Sequence, residues 1–173
     1  MVCDHKALAG SSSRGSLVPP PVWAAIIAAV MWILQRHIPL RTVIEQPWNQ
    51  AGAWLMALSA VAPGAAIIQF IRARTTVDPH RPQRARKLVT GGLYAWTRNP
   101  MYLGLSLLLI GWAVELGSAS AFVGPVLFVP LIERVQIRPE ERALRARFGA
   151  EYDRYCRRVN RWVGRRSPRQ RSP

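Results

Sequence analysis

The chain alternates between long apolar runs and short charged segments. Four runs contain no charged residue, and most of the Arg residues lie between and after them; the runs are 17–35, 46–71, 99–114 and 116–132. Runs of this length without a polar face are typical of helices that cross a hydrocarbon core of ~30 Å. The pattern therefore predicts an all-α membrane protein with a multi-pass bundle of about four transmembrane helices.

Proline and glycine positions predict how these helices bend and connect. We predict a second span over 51–71 with a kink at Pro63, because proline removes a helical hydrogen bond. The third and fourth spans are predicted to form a hairpin that turns near Gly117. Two further prolines predict a kinked fourth span: Pro125 and Pro130. The first run resembles the apolar part of a signal peptide, but polar residues follow it instead of a small-residue cleavage site. We therefore predict an uncleaved first helix.

The chain beyond residue 132 is charged and is predicted to form a C-terminal helical cap. Pro139 followed by two glutamates is typical of a helix start, and Gly149 predicts where that helix ends. A second cap helix is predicted over 151–163, because large apolar and aromatic residues recur on one of its faces. These residues are Tyr152, Tyr155 and Val159.

Positive charge is distributed unevenly along the chain. The formal net charge is +15, with seven Lys and Arg residues in 72–98 and thirteen Arg residues after position 132. Because cytoplasmic segments of membrane proteins carry an excess of Lys and Arg, both segments and both termini are predicted to be cytoplasmic. The membrane is the cell inner membrane if the source is bacterial. This topology explains the basic composition without nucleic-acid binding, and surface arginines are expected to attract membrane lipids.

Both termini lack apolar periodicity. We predict a disordered N-terminal tail over 1–16 and a basic disordered tail over 164–173, with one membrane domain over 17–163 between them. Cys3 and Cys156 have neither disulfide nor zinc-site spacing, so no metal site is predicted. The motifs of soluble nucleotide-binding folds and of common hydrolases are also absent from the sequence.

The segment 90–104, TGGLYAWTRNPMYLG, is a loop that leads into a membrane helix. The double glycine permits unusual backbone conformations, and Pro100 suits the first turn of a helix. Three aromatic residues are expected to surround a ligand docked at this helix start: Tyr94, Trp96 and Tyr102. The alternative is that the aromatic residues are interfacial anchors and that Arg98 meets lipid phosphate.

Two blocks of the sequence resemble a known family of membrane methyltransferases. The segment 88–104 is similar to the pattern Gly-x-Tyr-x-x-x-Arg-His/Asn-Pro-x-Tyr-x-Gly of enzymes related to isoprenylcysteine carboxyl methyltransferase and phospholipid N-methyltransferases. The segment 139–162, PEERALRARFGAEYDRYCRRVNRW, resembles that family's C-terminal pattern in the same order. The resemblance implies methyl transfer from S-adenosylmethionine to a lipophilic acceptor.

The resemblance also implies which residues bind S-adenosylmethionine, with Glu140 as the acceptor for its ribose hydroxyls or ammonium. The implied cofactor-binding residues are Leu88, Val89, Tyr94, Asn99, Pro100, Met101, Tyr102 and Glu140, with Arg86 and Lys87 as weaker matches. No nucleophile is required, because an in-line displacement needs mainly alignment and a dry site. The candidates for direct catalytic contact are Arg98, Asn99 and Tyr102.

Two departures from the family pattern concern the acceptor. Asn99 stands where many relatives have His, and an amide cannot act as a base near neutral pH. Gln136 stands where the prenylcysteine enzymes have a substrate-binding Arg, with Arg134 and Arg138 as neighbouring candidates. The acceptor is therefore either a prenylcysteine-like carboxylate or a lipid headgroup. Two other functions remain open: a membrane reductase using NADPH, as in the sterol reductases, and a non-catalytic lipid-binding protein.

Overall fold

The computed structural model describes residues 18–38, 40–72 and 88–166; the regular elements of this part of the chain are helices, joined by turns and loops that contain two isolated β-bridges. The helices are α1 (Pro20–His37), α2 (Ala51–Ser59), α3 (Val61–Arg72), α4 (Pro100–Leu116), α5 (Val123–Ile132), α6 (Arg138–Phe148) and α7 (Ala150–Arg158). The predicted all-α class is confirmed for this part of the chain. The predicted tail over 1–16 lies outside the described residues, as do residues 167–173 of the tail predicted over 164–173 and the residues Arg86 and Lys87.

Two helical stretches are long and apolar enough to cross a membrane, namely Trp48–Gln69 and Ala119–Phe148. Helix α4 is a shorter apolar helix. Prolines begin several elements, since Pro20 and Pro100 occupy the first turns of α1 and α4. A proline in a first turn costs no hydrogen bond, because the N–H groups there have no helical partner.

The second predicted span bends at a different residue from the one expected. A turn at Ala60 separates α2 from α3, three residues before Pro63. The proline ring conflicts with the carbonyl four residues earlier, so the break falls on the preceding turn, next to Ser59. The break in the helix therefore lies about one helical turn before Pro63, where the kink was predicted.

Glycines allow α4 to pack closely against α2 and α3. A Cβ atom at Gly111 would lie 2.8 Å from the Gly52 carbonyl oxygen and 2.9 Å from the Met56 nitrogen. A Cβ atom at Gly104 would lie 2.6 Å from Pro63 Cγ and 2.8 Å from the Ser59 carbonyl oxygen. Backbone-to-backbone contact of this kind is common between membrane helices, and it fixes α4 against the bend.

The connection after α1 and the turn after α4 meet at one end of the bundle. Gly117 adopts the left-handed conformation (φ +69°) and accepts a 2.8 Å hydrogen bond from the Val43 N–H. Gln35 Nε2 donates to the Leu116 carbonyl at 2.9 Å, and the Ala119 N–H donates to the Arg41 carbonyl at 3.1 Å. The predicted hairpin turn near Gly117 is confirmed.

The start of α1 and the C-terminal elements lie at the opposite end. Gln136 Nε2 donates to the Val18 carbonyl at 3.3 Å, and the Arg98 N–H donates to the Asn160 carbonyl at 3.2 Å. The candidate site residues in 88–102 and at Glu140 belong to this end. It is also the end at which most of the described arginines lie.

The C-terminal part of the chain is a direct continuation of α5. A π-helical turn, Glu133–Ile137, joins α5 to α6, and the Arg138 N–H donates to the Glu133 carbonyl five residues back. Pro139 lies in the first turn of α6 and is followed by Glu140 and Glu141, as predicted, but α6 continues directly from α5 instead of beginning as a separate helix. Pro125 lies in the first turn of α5, which begins after a 3₁₀ turn over Ala119–Phe122.

Helix α7 ends earlier than predicted and is followed by a short hairpin. It ends at Arg158, and Val159 is extended and pairs with Arg165. The Asn160 N–H donates to the Gly164 carbonyl at 2.9 Å, and Gly164 has φ +104°. The helix predicted to reach 163 is therefore wrong beyond Arg158. We call residues 158–166 the C-terminal hairpin; because it is hydrogen-bonded through residue 166, the folded domain continues past the predicted boundary at 163.

Two clusters of buried side chains hold the fold. One lies among α1, α4 and α5 and includes Met31, Leu109 and Phe128. The other attaches the cap to α3 and to the loop before α4, and it consists of Ala66, Leu88, Tyr94, Tyr152, Tyr155, Cys156 and Val159. The predicted burial of Tyr152, Tyr155 and Val159 is confirmed, although Val159 follows the end of α7. The cap is thus packed against the loop that precedes α4.

Candidate functional site

Gln69 near the end of α3 supports the loop that carries Tyr94. With its amide oriented to satisfy both neighbours, Gln69 donates to the Gly91 carbonyl at 3.1 Å and accepts from the Leu93 N–H at 3.0 Å. Gly92 has φ +57°, and a Cβ atom there would lie 2.6 Å from Gln69 Cδ. Only glycine fits this position without strain. Sequence reasoning did not identify Gln69, although a glutamine near the end of an apolar span was an available signal.

Tyr94 points into the protein and is buried. The Tyr155 hydroxyl donates to the Tyr94 carbonyl at 2.7 Å, which joins the loop to α7. Burial, and then the nearby Tyr155 and Glu140 side chains, raise the pKa of the Tyr94 phenol well above its usual value. Tyr94 therefore stays neutral and lies within electrostatic range of Glu140.

Asn99 and Thr97 connect the start of α4 to the C-terminal hairpin. Asn99 Nδ2 donates to the Arg161 carbonyl at 3.0 Å, and the Asn99 N–H donates to Thr97 Oγ1 at 3.1 Å. Asn99 makes no side-chain cap of α4. The amide donor that was predicted to contact a ligand is thus bonded within the protein.

Tyr102 and Glu140 join the two sequence blocks. The Tyr102 hydroxyl on α4 donates to Glu140 Oε1 on α6, across 38 positions of the chain. Among the described residues, the second oxygen of Glu140 accepts no hydrogen bond from protein. The two residues that the resemblance singled out most clearly are therefore in contact, with a carboxylate oxygen left to receive a ligand.

The pKa of the Glu140 carboxyl group is raised to about 7, mainly by burial; the hydrogen bond from Tyr102 lowers it, and the adjacent Glu141 carboxylate contributes a smaller increase. A carboxyl group with a pKa near neutrality changes its charge in the physiological range. A cationic ligand placed against it would favour the ionised form and lower the pKa again.

Arg98 and Glu141 form the centre of an ionic network behind this pair. Arg98 Nη1 lies 2.9 Å from Glu141 Oε1, and the two side chains are only 9% and 11% exposed. Arg161 Nη2 contacts Glu141 Oε2 at 2.7 Å, and Arg161 Nη1 contacts Glu133 Oε1 at 2.7 Å. The hydrogen bond to Glu141 raises the pKa of the Arg161 guanidinium. Arg98 also donates to Cys156 Sγ at 2.8 Å.

This network corrects the interpretation that Arg98 meets lipid phosphate. Its guanidinium is buried and paired with Glu141. It instead holds the loop before α4 against α6 and α7. Glu133, Glu141 and Arg161 were not identified as functional, and Glu141 was noted only as the neighbour of Glu140.

The remaining predicted residues divide into two groups. Leu88 and Pro100 are buried, and Val89 and Met101 are half-buried against the cluster that contains Tyr94. Trp96 is 59% exposed, so it does not surround the site with Tyr94 and Tyr102 as expected. The reason is that the 3₁₀ helix Gly92–Ala95 ends before it.

The three candidate acceptor-binding residues do not lie together. Gln136 is buried, at 3% exposure, and its amide donates to the Val18 carbonyl. Arg134 is exposed, and Arg138 is exposed and paired with Glu133 at 3.1 Å. The side-chain amide of Gln136 is thus buried and donates one hydrogen bond to the start of α1.

Comparison with known proteins gives a family match that includes both Tyr102 and Glu140. Residues 48–151 match the sequence model of the family described as phospholipid methyltransferase. Protein-S-isoprenylcysteine O-methyltransferase B of Arabidopsis thaliana is 29% identical over 118 residues, which cover 67% of this chain and 60% of that protein. An uncharacterized protein of Haemophilus influenzae is 43% identical over 63 residues, which cover 36% of this chain and all of that protein.

Proposed function

Because the chain belongs to the phospholipid methyltransferase family, we propose that it is an integral membrane methyltransferase that uses S-adenosylmethionine and acts on a lipophilic acceptor. The observation that carries the proposal is the contact between Tyr102 and Glu140. It joins the two sequence blocks that resemble membrane methyltransferases, and it places a carboxylate at the start of a membrane helix.

The residues at this contact fit the proposed cofactor. S-adenosylmethionine has a sulfonium, an ammonium and two ribose hydroxyls, all of which are attracted to a carboxylate or to electron-rich aromatic rings. One oxygen of Glu140 accepts no hydrogen bond within the part of the chain that the structure describes, and Tyr94 and Tyr102 are the nearby phenols. When bound, the cofactor would supply an electrophilic methyl group.

The protein's own contribution is to bind and orient the cofactor and to exclude water from the site. Gln69 and the Tyr155 hydroxyl hold the loop that carries Tyr94, and Tyr102 orients the Glu140 carboxylate. The Arg98–Glu141 pair fixes α6 beside that loop. These fixed positions suit an in-line displacement, for which alignment in a dry site is the main requirement.

We propose that the acceptor is a lipid-soluble molecule that reaches the site from the bilayer. The relative in Arabidopsis thaliana is named for prenylated cysteine. In this chain, an acceptor carboxylate would need recognition by a residue other than Gln136, because that amide is buried and bonded to Val18. A lipid headgroup acceptor places no such requirement on position 136.

Cofactor binding tests the proposal directly. Purified protein in detergent, titrated with S-adenosylhomocysteine and separately with NADPH, is expected to show saturable binding of the first and no binding of the second. Isothermal titration calorimetry measures both, and adenosine serves as the ligand that lacks the ammonium. Binding of NADPH without S-adenosylhomocysteine would favour the reductase alternative, and binding of neither would favour a non-catalytic lipid-binding protein.

We also propose four spans with both termini in the cytoplasm. In support of this, the α1–α2 connection and the Gly117 turn meet at one end, while the start of α1 and the arginine-rich cap lie at the other. A reporter fused after Ser118 is expected to lie on the outer side of the membrane, and a reporter fused after Arg165 is expected to lie in the cytoplasm. The opposite pattern would contradict the orientation.

A further inference from the structure

The acidic side chains of the cap are mostly used inside the protein. Glu133 and Glu141 bind Arg161, Asp153 binds Arg145, and Glu140 accepts from Tyr102. In α7 and the C-terminal hairpin, five exposed arginines form no ion pair with any described acid. They are Arg154, Arg157, Arg158, Arg165 and Arg166. The outer surface of α7 and of the C-terminal hairpin is therefore strongly cationic.

Two large apolar side chains lie exposed in the same region. Trp96 and Val163 are 59% and 62% exposed, although the hairpin itself is well ordered by hydrogen bonds. The Arg165 guanidinium lies 5.9 Å from the centroid of the Trp96 ring. An arginine beside an exposed tryptophan is a combination that suits the boundary between lipid headgroups and acyl chains.

The hairpin is held at the level where a membrane helix begins. The Gly164 N–H donates to the Trp96 carbonyl at 2.8 Å, and the apolar helix α4 begins at Pro100, four residues further along the chain. The Arg98 N–H donates to the Asn160 carbonyl, which fixes the other side of the hairpin. Trp96, Val163 and Arg165 thus lie beside the start of α4 rather than far from the bilayer.

We propose that these residues bind the headgroups of anionic phospholipids. The surface, here called the headgroup surface, consists of Trp96, Arg158, Val163, Arg165 and Arg166. Guanidinium groups bind phosphate oxygens in a bidentate manner, and the exposed apolar side chains insert at the interface. The occupant is membrane lipid, because a soluble polyanion would not account for exposed Trp96 and Val163 next to a membrane helix.

The same surface is connected to the candidate active site. Arg161 lies in the hairpin, and its carbonyl accepts from Asn99 while its guanidinium binds Glu141. Headgroup binding would therefore stabilise the hairpin in the position in which Arg161 binds Glu141. Lipid binding itself does not require methyl transfer, so the lipid preference can be measured on protein that is not turning over substrate.

Lipid binding to purified protein in detergent tests the proposal. Native mass spectrometry during titration with phosphatidylglycerol or phosphatidylcholine gives an apparent Kd for each lipid. We expect the wild type to prefer phosphatidylglycerol. The double variant Arg158→Gln/Arg165→Gln is expected to weaken phosphatidylglycerol binding by roughly twentyfold, because each arginine near a membrane surface contributes a several-fold factor. Phosphatidylcholine binding should be unchanged.

The matched control is Arg36→Gln/Arg41→Gln, which removes the same charge from exposed positions at the other end of the bundle. It is expected to keep the wild-type preference, and the melting temperatures of both variants should match that of the wild type. Trp96→Ala should weaken phosphatidylglycerol binding without a change in net charge. Equal affinities of the wild type for the two lipids, or equal losses in the hairpin and control variants, would overturn the proposal.

Discussion

Replacing Glu141 with glutamine is expected to lower the free energy of unfolding by about 3–5 kcal/mol, since removing one partner of a buried ion pair leaves a buried charge without compensation. Here the change affects two guanidinium groups, because Glu141 binds both Arg98 and Arg161. Arg98 is the more costly of the two, since its side chain is only 9% exposed. The midpoint of thermal unfolding in detergent measures the effect.

A surface ion pair of the same cap provides the control. Arg145 and Asp153 lie 2.9 Å apart, but their side chains are 42% and 38% exposed. Removing this pair with Asp153→Asn is expected to cost ~1 kcal/mol or less, because solvent screens the interaction. If Glu141→Gln and Asp153→Asn melt at the same temperature, the Arg98–Glu141–Arg161 network does not hold the cap in place.

Much of the fold follows from local sequence signals. The apolar runs place the bundle helices, and the turn at Gly117 and the helix end at Gly149 follow from glycines with positive φ. The inner face of α7 follows from its spacing of large residues, which needs no knowledge of the partner surface. These features are predictable because each depends on residues close together in the chain.

The predicted helix boundaries differ from the structure at positions where one local sequence signal is compatible with two different structures. Pro139 suits a helix start, but a π-helical turn before it also accommodates its missing N–H, and the continuous helix buries Ile132 and Ile137. Helix propensity continues beyond Arg158. The chain nevertheless turns there, because the Gly164 N–H bonds to Trp96 in another part of the fold. Sequence periodicity contains no information about such distant partners.

The candidate site likewise contains residues that the sequence predicted and residues that it did not. Tyr102 and Glu140 were predicted from motif resemblance, and the structure places them in contact. Gln69 and Arg161 were not predicted, because each acts on a backbone group or charge that only the folded loop and hairpin bring near. Arg98 was predicted as a candidate for catalytic contact, and the structure shows that its guanidinium forms a buried ion pair with Glu141.

Replacing Glu140 with glutamine is expected to weaken the binding of S-adenosylhomocysteine about ten- to a hundredfold at pH 8. A hydrogen bond from a ligand to an ionised carboxylate contributes about 1.5–3 kcal/mol, and the amide replaces it with a neutral bond. The position of Glu140 supports a specific effect, because the Tyr102 hydroxyl fixes one carboxylate oxygen and leaves the other for a ligand. Calorimetric titration measures the loss. Glu151→Gln, which removes an exposed acid of α7, is the matched control and should bind as the wild type does.

The pH dependence of binding separates a direct contact from a general effect on folding. The pKa of Glu140 is raised to about 7, mainly by burial, so the carboxyl group of the free protein is largely protonated below that pH. The ligand ammonium requires the ionised form. Affinity should therefore be constant above about pH 8 and should fall as the pH drops through 7, approaching a factor of about ten per pH unit. In Glu140→Gln the dependence should disappear, because the titrating group is gone. A wild type whose affinity is the same at pH 6 and pH 8, or a Glu140→Gln variant that keeps the wild-type slope, would exclude Glu140 as the group that receives the ammonium.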